Sequence, residues 1–209
     1  MFGIHDFGFF LAAGILLNLT PGPDTAYILG RTVAQGRKAG IASALGICVG
    51  SIFHTCTAAL GLSAILLTSA TAFGFIKLLG GAYLIFLGVK MIVDRSKPPG
   101  SPFHFRRCRN VAAFRQGALT NILNPKVALF FLAFLPQFID PGSTRKVLAF
   151  LTLGLSFVTT GTIWCLVLVW FASVFIKPFR TNATIRQWVS GTAGALFIFL
   201  GIRLATAKR

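Results

Sequence analysis

The sequence predicts an all-α integral membrane protein: six transmembrane helices as two inverted three-helix repeats, with helices 1 and 4 broken. Three observations lead there. Apolar runs of roughly 20 residues recur, the length a helix needs to span about 30 Å of hydrocarbon. Motifs of the first half return, in order, in the second. Proline, glycine and asparagine also interrupt the first span of each half at matching places.

The composition supports the class. Mean hydropathy is +0.79. Charged residues are 11% of the chain and glutamate is absent, whereas soluble domains carry about 25% charged residues. Hydropathy places the spans near 7–29, 40–69, 71–93, 113–139, 147–176 and 187–205. They form a single transmembrane domain, 1–209, with repeat 1 at about 7–93, a basic loop at about 94–112 and repeat 2 at about 113–205.

Each span has its own reason. The first follows MFGIHDFGFF, which lacks the basic n-region of a signal peptide, so the segment is expected to stay as a helix. It then meets "NLTPGPD" (18–24), where proline removes a backbone hydrogen bond and clashes with an earlier carbonyl. The second is longer than a perpendicular helix requires, which predicts tilt or a bend near Gly61. It also carries Gly46-x-x-x-Gly50, with Ala42 one turn earlier, a small-residue stripe for close helix contact. The third span ends in "GAYLIFLGVKM" (81–91), echoed by "GALFIFLGIRL" (194–204) in the sixth. "GILLN" (14–18) in the first matches "GALTN" (117–121) in the fourth, and proline soon follows each. The fifth is a plain apolar run. Three spans per repeat send the second copy into the membrane from the opposite side, an architecture recurrent in secondary transporters.

The net charge of +16 raises nucleic acid as a partner, and its distribution argues against that. Thirteen of the twenty basic residues sit in odd loops: Arg31, Arg37 and Lys38 in loop 1–2, seven from Lys90 to Arg115 around loop 3–4, and Lys177, Arg180 and Arg186 in loop 5–6. That is the positive-inside pattern, with odd loops cytoplasmic and both termini external. Cys48, Cys56 and Cys165 lie in spans and Cys108 in a loop, so no disulfide framework is expected. In "CVGSIFHTC" (48–56), His54 lies about 240° around the helix from Cys48, so no metal site is expected there.

The breaks point to function. In lipid, freed backbone groups need partners, so interrupted helices persist where they are buried in protein or line a cavity. Interruptions at corresponding positions of two repeats are the best sequence pointer to a transporter's substrate site. If Pro23 starts a half-helix, Asp24 sits in its first turn, where the helix dipole favours an anion. With Asn124 as cap and Pro125 as first residue, Lys126 puts a cation at a positive helix end near mid-membrane. Such a lysine needs an anionic partner, for which Asp24 or a substrate carboxylate is the candidate.

With these motifs in view, the chain resembles the lysine-exporter (LysE/RhtB type) superfamily of bacterial amino-acid exporters, over about residues 7–205. The resemblance rests on Asn18-x-Thr20-Pro21-Gly22-Pro23 and on Gly117-x-x-x-Asn121-x-x-Asn124-Pro125-Lys126, with "KLLGGAYLIFLG" (77–88) and "FLPQF" (134–138) in support. It implies efflux of amino acids or related metabolites across the bacterial cytoplasmic (inner) membrane, driven by protons. Some relatives are linked to metal-ion export.

The residues fit an exporter of neutral amino acids. Asp24 would meet the substrate ammonium, and the helix N-termini after Pro23 and Pro125, with Lys126, its carboxylate. Asn18, Thr20, Asn121 and Asn124 would line the site, with Pro21 and Gly22 completing the first break. The expected partners are an amino acid, protons as coupling ion and the lipid bilayer, with homodimerisation left open. No cofactor is expected, and the P-loop, H-E-x-x-H and G-x-S-x-G patterns of ATPases, zinc proteases and serine hydrolases are absent. The alternatives are a cadmium-like metal-ion exporter and a non-transporting membrane scaffold.

Overall fold

The computed structural model describes residues 2–20, 22–62 and 108–179, with isolated positions between 78 and 93 and between 195 and 202. Pro21, most of loop 94–112, and the third and sixth expected spans with their repeat motifs, apart from those isolated positions, lie outside the described residues.

Helix α1 (Phe7–Leu19) stops where Thr20 turns extended, at φ −67° and ψ 125°. Pro23 opens α2 (Pro23–Gln35), its missing N–H harmless at a first helical position. Gly36, at φ +85°, takes a left-handed turn that a side chain would strain. Helix α3 (Arg37–Thr57) follows and ends in a π turn, Ala58–Leu62, that includes Gly61.

A second helix break resembles the one between α1 and α2. Helix α4 (Asn110–Ile122) gives way at Leu123–Asn124, and Pro125 opens α5 (Pro125–Leu129). The chain continues through a π turn, Phe130–Phe134, and a 3-10 turn, Leu135–Phe138. The segments on either side of this break meet at a bend of 47°. Helix α6 (Lys146–Phe179) is unbroken. By length and composition Arg37–Gly61 and Lys146–Val174 can each cross a membrane, and the bent pair makes a third span, among the described residues.

The first span was expected to end near residue 29, leaving Arg31 in a cytoplasmic loop. Helix α2 instead runs to Gln35 and Arg31 is buried, 4% exposed. Hydropathy falls at a charged residue, but here neighbouring side chains engage the guanidinium. Nη1 donates to Gln35 Oε1 at 2.7 Å, Nη2 donates to Gln116 Oε1, and the guanidinium carbon lies 5.6 Å from the Tyr27 ring centre.

Close approach of α3 and α4 organises the bundle. A Cβ at Gly46 would overlap the Phe114 carbonyl, and one at Gly50 would lie 2.7 Å from Asn121 Cβ. From the other side, a Cβ at Gly117 would lie 2.6 Å from Ser43 O. The stripe is therefore Ser43, Gly46 and Gly50. Small residues let backbones touch, which supplies packing where lipid removes the hydrophobic drive between helices.

Two apolar clusters flank this contact. Phe10, Phe130, Phe134, Phe138, Phe150 and Phe157 belong to one, with Phe130 and Phe157 ring centres 4.9 Å apart. Tyr27, Ile28, Ile47, Leu168 and Val169 belong to the other. Leu155, Ile163, Trp170 and Val174 of α6 point outwards, the apolar face that lipid would cover. The N-terminal residues share one end of the bundle with the segment after Phe138: Asp140 N donates to Gly3 O at 2.8 Å and Ser143 Oγ to Phe2 O at 2.9 Å. At the far end of the α1–α2 path, Gln35 Nε2 donates to Cys108 O at 2.9 Å.

Candidate functional site

The two breaks face each other and are cross-bonded. Ending α1 at Leu19 leaves carbonyl groups without intrahelical donors, the negative end of a helix dipole. Lys126, in the first turn of α5, reaches across, and its Nζ donates to Thr20 O at 2.9 Å. In return α4 serves the other side of the first break: Asn121 Nδ2 donates to Asp24 Oδ2 at 2.7 Å.

Asn121 is the hub. Its Oδ1 accepts from Ser51 Oγ at 3.2 Å, and the residue is 1% exposed. Its backbone carbonyl accepts from His54 at 3.1 Å, which requires the hydrogen on Nε2. The His54 ring lies 5.8 Å, centre to centre, from that of Phe131. Asn124 caps α5 as the sequence suggested, its side-chain oxygen accepting from Lys126 N at 3.1 Å.

The proposed Asp24–Lys126 ion pair is not present: the two side chains are not within 4.0 Å. The expectation assumed that a buried lysine at a positive helix end must find a carboxylate. The open carbonyl end of α1 supplies the negative partner instead. Asp24 sits in the first turn of α2, where the dipole favours it, and takes its hydrogen bond from Asn121.

A cavity of about 30 Å³ opens beside Asp24. Its polar lining is Asn18, Asp24, Ser51, Asn121 and Thr162, and its apolar lining includes Ile47, Val127, Phe157 and Val158. Asp24 Oδ1, Asn18 Nδ2 and Thr162 Oγ1 are buried without a hydrogen-bond partner in the protein. One acceptor, one donor and one hydroxyl with both capacities thus border a single cavity. It has room for a water or two, whereas pockets holding small molecules usually reach several hundred Å³.

Of the residues singled out by sequence, Asn18, Asp24 and Asn121 line the cavity. Thr20, Asn124 and Lys126 hold the breaks together, and Gly22 lies beside the lysine, with a Cβ there 3.5 Å from Nζ. Pro23 and Pro125 open their helices and are exposed. Ser51, His54, Phe157, Gly161 and Thr162 were missed. For His54 a signal existed, since an ionisable residue inside a span is a functional candidate by default. A threonine on a long apolar helix carries no such signal.

Secondary transporters house substrate where interrupted helices meet, and here two proline-started helix breaks meet beside a small polar cavity. The chain belongs to the family of LysE type translocators, whose pattern matches residues 15–208. It is 31% identical to the membrane protein YrhP of Bacillus subtilis (strain 168), with 96% of this chain and 98% of that protein aligned. It is 25% identical to the leucine efflux protein of Enterobacter sp. (strain 638), with 98% and 97% aligned. The leucine efflux protein of Klebsiella pneumoniae is 26% identical, with 99% and 98% aligned. No solved structure matches the chain.

Proposed function

We propose that this protein is a secondary active exporter of neutral amino acids or their derivatives, working by proton antiport in the bacterial cytoplasmic membrane. The observation that carries the reading is the cavity with three unpartnered polar atoms and an apolar wall. An amino-acid zwitterion needs an acceptor for its ammonium and donors for its carboxylate, and an aliphatic side chain needs an apolar surface. Asp24 Oδ1, Asn18 Nδ2 and the Ile47–Val158 wall offer these in one place. The leucine efflux proteins among its relatives support an aliphatic substrate.

Coupling follows from the same carboxylate. Asp24 can hold either a substrate ammonium or a proton, and an exchange of one for the other couples efflux to proton entry. Asn121 keeps the carboxylate oriented in both states, and Lys126 keeps the two breaks aligned. The six-helix inverted repeat, with odd loops cytoplasmic and termini external, is the architecture in which this alternation operates.

The test is counterflow in proteoliposomes with a panel of amino acids and cadmium as control. Uptake of labelled leucine driven by internal unlabelled leucine, with none for cadmium, is the expected result. Cadmium movement without amino-acid exchange would replace this reading with metal export. Uphill leucine transport unaffected by collapse of the proton gradient would remove the antiport step alone.

A further inference from the structure

Helix α6 contains several hydroxyl side chains, and most satisfy themselves on their own helix. Thr152, Ser156, Thr159 and Thr160 each donate to the carbonyl four residues back, at 2.8–3.1 Å, and Ser173 to the carbonyl three back at 2.7 Å. That route is open to any helical serine or threonine. Thr162 does not take it. Its Oγ1 is buried, unpartnered and at the wall of the cavity that holds Asp24.

The preceding residue is matched to the opposite wall. A Cβ at Gly161 would lie 3.1 Å from Asn18 Oδ1 and 3.2 Å from Asn18 Nδ2, so the absence of a side chain gives Asn18 its place. Asn18 corresponds to Asn121 in the Gly-x-x-x-Asn motif shared by the two halves. Asn121 spends its amide on Asp24 and Ser51, whereas the Asn18 amide nitrogen has no partner. One asparagine builds the site and the other is left to use it.

We propose that the Gly161–Thr162 step of α6 is the specificity element of the exporter, with Thr162 and Asn18 forming the carboxylate pole opposite Asp24. This inference rests on the amino-acid export reading and deepens it. Asn18 Nδ2, an unpartnered donor at the cavity, is matched to the substrate carboxylate. Thr162, next to the glycine that touches Asn18, donates its hydroxyl to the same group, and Asp24 Oδ1 receives the ammonium. Gly161 sets how far Asn18 withdraws, and so how much of the cavity is left for the side chain.

The experiment measures leucine and alanine counterflow in proteoliposomes for the wild type, Thr162→Val, Thr162→Ser and Gly161→Ala. Thr162→Val keeps the shape and removes the hydroxyl, and is expected to raise the half-saturation concentration for both amino acids about tenfold, as loss of a hydrogen bond to a charged group does. Thr162→Ser restores it to within about twofold. Gly161→Ala, which favours the helix, moves Asn18 inwards and lowers the leucine-to-alanine preference about tenfold, in the range expected for small changes of pocket space. Wild-type half-saturation in Thr162→Val, no rescue by serine, or an unchanged preference in Gly161→Ala overturns the assignment of α6 while the exporter reading stands. Absence of amino-acid flux in the wild type overturns both.

Discussion

The ammonium of Lys126 donates to the backbone carbonyl of Thr20, 2.9 Å away and 106 residues earlier in the chain. The second half of the protein thus completes the interrupted helix of the first. A carbonyl freed in the first break is satisfied by a side chain from the second, and a carboxylate of the first by an amide from the second. Irregular backbone survives at membrane depth because protein replaces the missing partners.

Removing that lysine should weaken the fold more than it alters the substrate contacts. Lys126→Met leaves Thr20 O buried and unpaired, which costs about 1–3 kcal/mol. Detergent-solubilised protein is expected to melt earlier, with leucine half-saturation within about threefold of wild type at temperatures where the variant stays folded. A thermal melt paired with counterflow on one preparation checks both.

Asp24 should behave in the opposite way. Asp24→Asn keeps an oxygen for the Asn121 amide and removes the anion. The variant is expected to fold with a near-normal melting profile and to lose uphill efflux. Isolation yield and melting, read beside proton-driven flux, decide it: a folded variant with full uphill transport would end the coupling role of this residue.

The α3–α4 contact offers a stability test free of any transport assumption. Gly46→Ala places a Cβ on the Phe114 carbonyl, a backbone atom that cannot step aside cheaply. Overpacking of this kind costs about 1–3 kcal/mol. Gly8→Ala is the control, since a Cβ there meets nothing within 4 Å. Thermal melts should separate the two, with Gly46→Ala low and Gly8→Ala at or above wild type.

The end-to-end contacts set Cys108 apart from Gly142, and the basic odd loops predict which end is cytoplasmic. Gln35 holds Cys108 at one end, and the N-terminus holds Asp140 and Ser143 at the other. In a background without other cysteines, Cys108 should react with an impermeant maleimide only after cell lysis, and Gly142→Cys in intact cells. Both reacting from the same side would be incompatible with the arrangement.

Much of this was legible in the chain. Proline at 23 and 125 and the caps before them dictate where two helices begin, because those residues act through their own backbone. Gly46 and Gly50 declared a contact face, because only small residues let helices touch. Apolar run length set the membrane class, because the bilayer imposes one thickness on every span. What the sequence could not decide was partnership. Lys126 could meet a carboxylate or a helix end, and a lysine reads the same in either case. Only the packed breaks brought the carbonyl end of α1 to it and left Asp24 to Asn121. Arg31 looked like a loop charge because hydropathy weighs a residue alone, whereas its burial depends on Gln35, Tyr27 and Gln116 converging on it. Thr162 is one hydroxyl among several on α6, and what distinguishes it is a cavity formed by distant parts of the chain. Local backbone chemistry is written in neighbouring residues; who satisfies a buried polar group is settled by elements that meet only when the chain is folded.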